Sequence, residues 1–284
     1  MKTNLFIVGT VKGGTTWLYD VLATNPEVFA NELKEPHFFT PRKSHRKHMR
    51  AISSIEEYNA RNLKASPNHK YRVDGSATYV SSQDIPKLIY SYNSNSKIII
   101  MLRHPVERAY SQYQMDLREG LLDASSDFKT VIRNDNKLDD LIDGRLYVKL
   151  GLYHEIVNEY INRFGNENVL ILSFHDLVRD KQSVINSVVE FLEIENVFSS
   201  DSIDTKKNVA ALPRNLLFRQ FLASDTLRYY SRFIPKKMRS YVKDNVLVKK
   251  VSNKLDLADK EDIYNEFFKD DSEKLFEFIN KRLW

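Results

Sequence analysis

Residues 4–9 (NLFIVG) read as a buried strand, and residues 10–17 (TVKGGTTW) as a glycine-rich turn that opens directly into an amphipathic helix. A strand that passes through paired glycines into a helix N-terminus confines the chain to few architectures. Free amides and the positive end of the helix dipole converge on one point there, and a sheet must lie behind it. The rest of the chain keeps this rhythm. Residues 71–74, 97–102 (KIIIML) and 168–174 (NVLILSF) are further strand candidates, and residues 16–23, 53–61, 85–92, 106–118, 147–164 and 183–192 carry helical periodicity. Such alternation predicts an α/β fold of three layers, P-loop-NTPase-like, with a central, mainly parallel sheet. Beyond Pro213 the pattern changes to aromatic-rich amphipathic helices at about 216–230, 237–249, 260–269 and 272–281. The expected organisation over residues 1–284 is therefore a single domain: an α/β core over 1–205, then a loop and a helical extension over 206–284.

Composition narrows the chemistry. The 284 residues contain no cysteine, which removes disulfides, thiolate nucleophiles and Cys-ligated metal sites together. Lys and Arg total 43 against 38 Asp and Glu, a net +5 that favours anionic partners without naming one. No run of about 18 apolar residues and no charged-then-apolar leader is present, so neither a membrane span nor an export signal is expected. The catalytic domain is expected to start at the first residue, in the cytoplasm.

The loop at 10–17 is an anion cradle with its lysine displaced. Against the ATP-binding pattern G-x-x-x-x-G-K-[ST], Gly9 and Gly14 match the glycines and Thr16 the final hydroxyl, but Thr15 stands in the lysine position and the lysine is Lys12. Magnesium-dependent phosphoryl transfer also wants a carboxylate after a second strand, yet 97–102 ends in Arg103. An arginine at the carboxyl end of a parallel strand points into the crevice where open α/β sheets bind ligands. Pro105 is placed to open a helix whose Ser111, two turns on, faces the same spot. A guanidinium fork with a hydroxyl suits a phosphate monoester.

The set KGGTTW (12–17), KEPHFF (34–39), Arg103-His-Pro with Ser111, Gly151-x-Tyr153 and the helix end Phe191-Leu192, in that order and spacing, resembles sulfotransferases that use 3′-phosphoadenosine-5′-phosphosulfate (PAPS). The likeness is strongest to bacterial enzymes and to the carbohydrate, heparan-sulfate-type branch. It runs from residue 5 to about 192, then loosely to the terminal Leu283-Trp284. It implies that Lys12, Gly13, Gly14, Thr15 and Thr16 hold the 5′-phosphosulfate beside Trp17, that Arg103 and Ser111 hold the 3′-phosphate, and that Tyr153 belongs to the nucleotide site. It further implies PAPS as donor, PAP as product, no metal, and in-line transfer to a hydroxyl, less readily an amine, of a carbohydrate or glycolipid.

Sulfonyl transfer needs a base for the acceptor proton and a cation over the bridging oxygen. Lys12 and the helix N-terminus are placed for the second task. In the heparan-sulfate branch a glutamate at the position of Glu35 is the base, and in other branches a histidine is; Glu35 is expected here, with His37 as the alternative. Two departures stand out. Gly75 occupies the place where that branch usually carries a lysine before Ser-Pro, so one cation is missing, and Asp74 is left either as an acceptor contact or as a structural carboxylate. The lysine- and glycine-containing loop that covers the 3′-phosphate in many relatives is also absent. Residues 206–214 (KKNVAALPR) take its place, and Lys207, Asn208 and Arg214 are expected to cap the nucleotide.

Positive charge concentrates in two stretches. Residues 42–50 hold five Lys or Arg and no acid, and residues 214–250 hold ten against two Asp. Apart from a merely solvated face, they suit an acidic glycan acceptor, or peripheral contact with anionic lipid at the inner membrane face where a lipid-linked glycan is presented. No nucleic-acid motif accompanies them. Two rival functions share the fold: a P-loop kinase or NTPase with Asp176 as magnesium ligand, and a non-catalytic protein that binds nucleotide or polyanion.

Overall fold

The apolar runs pair side by side into one sheet. In the computed structural model, which describes residues 1–41, 51–119, 121–123, 125–135, 147–204, 212–213, 248–249 and 255–284, strands β1 (Leu5–Gly9), β2 (Val28–Ala30), β3 (Tyr71–Asp74), β4 (Lys97–Leu102) and β5 (Val169–Ser173) form a five-stranded sheet in the order β2-β3-β1-β4-β5. Every pairing in it is parallel. β4 shows why the sheet must be covered on both faces. Its residues 98–102 are all solvent-free, with Ile98, Ile100 and Leu102 in one core cluster and Ile99 and Met101 in the other. A strand with no polar face is stable only between two helical layers. One layer is α3 (Asp84–Tyr92), α6 (His154–Phe164) and α11 (Lys269–Ile279), and the other is α1 (Thr15–Leu22) and α8 (Lys181–Leu192). A third cluster joins α4 (Pro105–Glu119), α5 (Phe128–Asp135) and α10 (Leu257–Phe267) through Val106, Phe128, Ile132, Ile263 and Phe268. The three-layer parallel α/β fold is thus the observed one.

The strand order sets the site. Outward from β1 the chain runs to β3 on one side and to β4 on the other, so the loops leaving the carboxyl ends of β1 and β4 diverge over a crevice. Gly9 is in register with Met101, and Leu102 with Ser173, so these ends lie along one edge.

Several boundaries differ from the expected ones. Val28–Ala30, not among the expected strands, becomes an edge strand because β3 offers it a partner, Val28 opposite Tyr71. The helix expected over 147–164 is broken: a 3₁₀ turn at Lys149–Gly151 precedes α6, where the Asp271 carboxylate accepts from the Tyr153 (2.6 Å) and His154 (3.3 Å) amides. Residue 174 does not extend β5. Ser173 Oγ accepts from His175 N at 3.1 Å and starts α7 (Phe174–Arg179). Short helices at α2 (Ile55–Ala60) and α9 (Ser200–Ile203) complete the described set. Val248–Lys249, expected as the end of a helix over 237–249, instead forms strand β7, antiparallel to β6 (Leu212–Pro213). The helix expected over 216–230 and the remainder of 237–249 lie outside the described residues, as do Lys207, Asn208, Arg214 and nearly all of both basic stretches. The last two expected helices are α10 and α11, and Leu275, Phe276 and Leu283 enter the main core rather than a separate one.

Candidate active site

The cradle is tightly wound. Thr10 N donates to the Met101 carbonyl (2.9 Å) and Gly13 N to the Thr10 carbonyl (2.8 Å), which ties the loop to β4. A Cβ on Gly13 would stand 2.8 Å from both of those carbonyl oxygens, so no other residue fits without moving backbone. Lys12 and Gly14 have positive φ, 73° and 94°. A non-glycine residue in that region is held there by its surroundings, and the alternation turns successive amides toward one side. Gly14 caps α1, whose first turn, with Thr15 and Thr16, presents amides that have no helical acceptor. Lys12 Nζ reaches back to Met115 Sδ on α4 at 3.9 Å, and Ser111 lies one turn earlier on that same face.

Arg103 is brought onto the loop. Its Nη1 donates to the Lys12 carbonyl (3.2 Å) and its guanidinium lies 4.4 Å over the Phe174 ring. Its Nε is buried and without a hydrogen bond, but it is ion-paired with Glu107 Oε2 at 3.7 Å, while Glu107 Oε1 accepts from Lys260 Nζ at 2.7 Å. Burial lowers the pKa of this arginine from its ordinary value. A desolvated guanidinium whose donors are not all hydrogen-bonded is suited to an anion. Tyr153, fully buried, lies behind it and donates to the Arg103 carbonyl at 2.9 Å. The Trp17 indole N–H donates to the Ile203 carbonyl at 2.9 Å. His104 is pushed down to about 4 by burial and by the Lys260 charge, so it is neutral at pH 7.

The segment 34–37 crosses the mouth of the cradle. Glu35 is the acid there, with Oε1 2.6 Å from Lys34 Nζ and Oε2 3.5 Å from His37 Nε2. His37 is buried at positive φ (51°), and its Nδ1 lies 2.9 Å from Thr78 Oγ1. The two base candidates are therefore neighbours, with Glu35 the more exposed. Asp74 explains their placement. It is fully buried and accepts four hydrogen bonds: from Ser76 N (2.9 Å) and Oγ (2.7 Å), Tyr58 OH (2.7 Å) and Tyr79 OH (2.9 Å). Ser76 Oγ in turn accepts from His37 N at 3.0 Å. Asp74 is a structural carboxylate, and it keeps Tyr58 and Tyr79 protonated: burial, then its charge, pushes both phenols well above their ordinary pKa.

A family model of the sulfotransferase domain matches residues 2–283. The chain belongs to that family. Among curated relatives, human carbohydrate sulfotransferase 15 is 25% identical over 246 residues, covering 67% of this chain and 44% of that protein. Mouse heparan sulfate glucosamine 3-O-sulfotransferase 3B1 is 27% identical over 194 residues, 68% of this chain and 46% of that one. This sulfotransferase domain thus spans about half the length of the curated relatives it matches. Among solved structures, a sulfotransferase from Alicyclobacillus acidocaldarius aligns over 99% of this chain and 97% of its own with a TM-score of 0.71 at 20% identity, and the sulfotransferase domain from the curacin biosynthetic pathway aligns over 94% and 97% with a TM-score of 0.52 at 15% identity. These two show the fold.

Membership decides against the kinase alternative. Asp176, its magnesium ligand, is engaged with Arg179 (3.3 Å) and Lys281 (3.8 Å). One residue at the cradle was not singled out from sequence: Lys34, whose ammonium also reaches Thr15 and Thr16. The signal was present only as its adjacency to Glu35.

Proposed function

We propose that this sulfotransferase-family chain moves a sulfonyl group from PAPS to a hydroxyl of a carbohydrate. The observation that carries this reading is a carboxylate, Glu35, held by a lysine that also binds the hydroxyls of the anion cradle, so that a base stands at the edge of an anion site. The names of the curated relatives support the acceptor class. The donor fits the residues present: the crowded loop of Lys12 to Thr16 suits a phosphosulfate, and the buried Arg103 guanidinium, whose Nε makes no hydrogen bond, suits the 3′-phosphate together with Ser111 on α4.

In this scheme the donor supplies the sulfonyl group and the chain supplies the rest. Glu35 takes the proton of the acceptor hydroxyl while the sulfur exchanges its bond to the nucleotide's 5′-phosphate oxygen for one to the acceptor oxygen. Lys12 and the first-turn amides of α1 hold the negative charge left on the phosphate. His37, paired to Thr78, backs Glu35, and Tyr153 fixes the Arg103 backbone. Lys207, Asn208 and Arg214 are assigned to capping the nucleotide. The two basic stretches are assigned to an acidic glycan or to the anionic surface that presents one.

The test is transfer itself. Incubated with ³⁵S-labelled PAPS and a panel of heparosan and other glycan oligosaccharides, the protein is expected to label a glycan at the same rate with and without EDTA. Binding of ATP with magnesium but not of PAP would sink the proposal. Arg103→Ala is expected to weaken PAP binding about 10²-fold, the scale of a charge-assisted contact to phosphate, and AMP binding by less than about threefold. Equal losses in calorimetric titrations would mean that Arg103 does not read the 3′-phosphate.

A further inference from the structure

Lys34 is placed as more than a surface partner of Glu35. Its side chain is 16% exposed, and all three ammonium donors are used: Glu35 Oε1 at 2.6 Å, Thr15 Oγ1 at 3.1 Å and Thr16 Oγ1 at 3.2 Å. A lysine neutralising one carboxylate has no need of two threonines from another element. Here both threonines come from the first turn of α1, where the free amides also converge. The cation therefore sits between the anion cradle and the carboxylate.

The position of Lys34 is built from below by Gly75. The Lys34 carbonyl accepts from Gly75 N at 3.0 Å, and a Cβ on Gly75 would come within 3.1 Å of both Lys34 Cγ and Cε. The same Cβ would stand 2.8 Å from Tyr19 Cδ2 and would ask the lysine stem to give by a few tenths of an ångström, so a bare glycine lets both pack closely there. Lys34 thus carries a positive charge beside position 75, where the resemblance led one to expect a lysine.

We infer that Lys34 is a second cation of the transfer site, contacting the sulfonyl end of a phosphosulfate held by Thr15 and Thr16 while keeping Glu35 turned toward it. The inference rests on the PAPS reading above and assigns to it one further residue. The transferred group is anionic and must lie between the cradle and the base, which is where this ammonium stands.

The test separates the sulfonyl from the rest of the nucleotide. The full chain is titrated by calorimetry with PAPS and, separately, with PAP, which lacks the sulfonyl. Lys34→Met is expected to weaken PAPS about tenfold or more and to leave PAP within about twofold, with the melting temperature of the free protein little changed. Lys34→Arg, which retains charge and donors, is expected to recover most of the PAPS affinity. Should Lys34→Met not fold, Lys34→Gln keeps a stem and a donor for the threonines and is held to the same expectation. Parallel weakening of both nucleotides, or no change in either, would overturn the inference and leave Lys34 a tie between two loops. Wild-type protein that binds neither nucleotide would overturn the PAPS reading itself, and this inference with it.

Discussion

Replacing Glu35 by glutamine is expected to lower sulfonyl transfer about 10²–10⁴-fold while affinity for PAP stays within about twofold. Glutamine keeps the volume and can accept from Lys34 Nζ, now 2.6 Å from Oε1, so the cradle and its cation should remain in place. It cannot take a proton, and the acceptor hydroxyl would have to lose one to solvent. Burial distinguishes the two candidates: Glu35 is about a third exposed, whereas the His37 side chain is 8% exposed and its Nδ1 is engaged with Thr78. The measurement is single-turnover transfer from labelled PAPS beside calorimetric binding of PAP. If Glu35→Gln retains full rate and His37→Gln abolishes it, the assignment is wrong and the histidine is the base.

The second large effect is on stability. Asp74→Ala is expected to cost on the order of 3–5 kcal/mol, because it removes a fully buried carboxylate and strands the hydroxyls of Tyr58, Tyr79 and Ser76 without an acceptor. At roughly 2–4 °C per kcal/mol for a chain of this size, the melting temperature should fall by about 6–20 °C. Asp74→Asn keeps one acceptor oxygen and should lose less. The variant should also disturb the site without touching it, since Ser76 Oγ holds the His37 amide. A melting temperature within about 2 °C of wild type would show that the carboxylate is not a structural centre.

What was legible in the chain was whatever depends on local order. Residues 10–17 carry their own anion site, because a strand, two glycines and a helix start leave amides free wherever they fold. The runs KIIIML and VLILS are apolar at every position but the ends, which demands cover on both faces and hence a parallel sheet. α5 was missed although its signal was present: Asp127 Oδ2 accepts from Thr130 N at 3.0 Å as a cap, and Phe128 and Ile132 share one buried face. β2 is different in kind. Three residues cannot announce a strand, and Val28–Ala30 is one only because β3 lies alongside.

The same division runs through the site. Lys12 and Arg103 were picked out by their places after strand ends, and Glu35 by the resemblance of the run that contains it. The roles of Lys34, Gly75 and Asp74 were not, because Lys34 meets Thr15 from 19 positions away and Gly75 from 41, and Asp74 needs Tyr58 from 16 positions away to complete its set of donors. Read along the chain, Gly75 is a missing cation; in space it is where the Tyr19 ring and the Lys34 stem pack against bare backbone. Read along the chain, Asp74 is an acid beside the site; in space four donors surround it. By itself the sequence determined the fold class and the presence of an anion cradle, because periodicity and a glycine turn act over a few residues. Only the tertiary structure decided which charges meet there, because burial and hydrogen-bond partners are properties of the packed crevice and of no single segment.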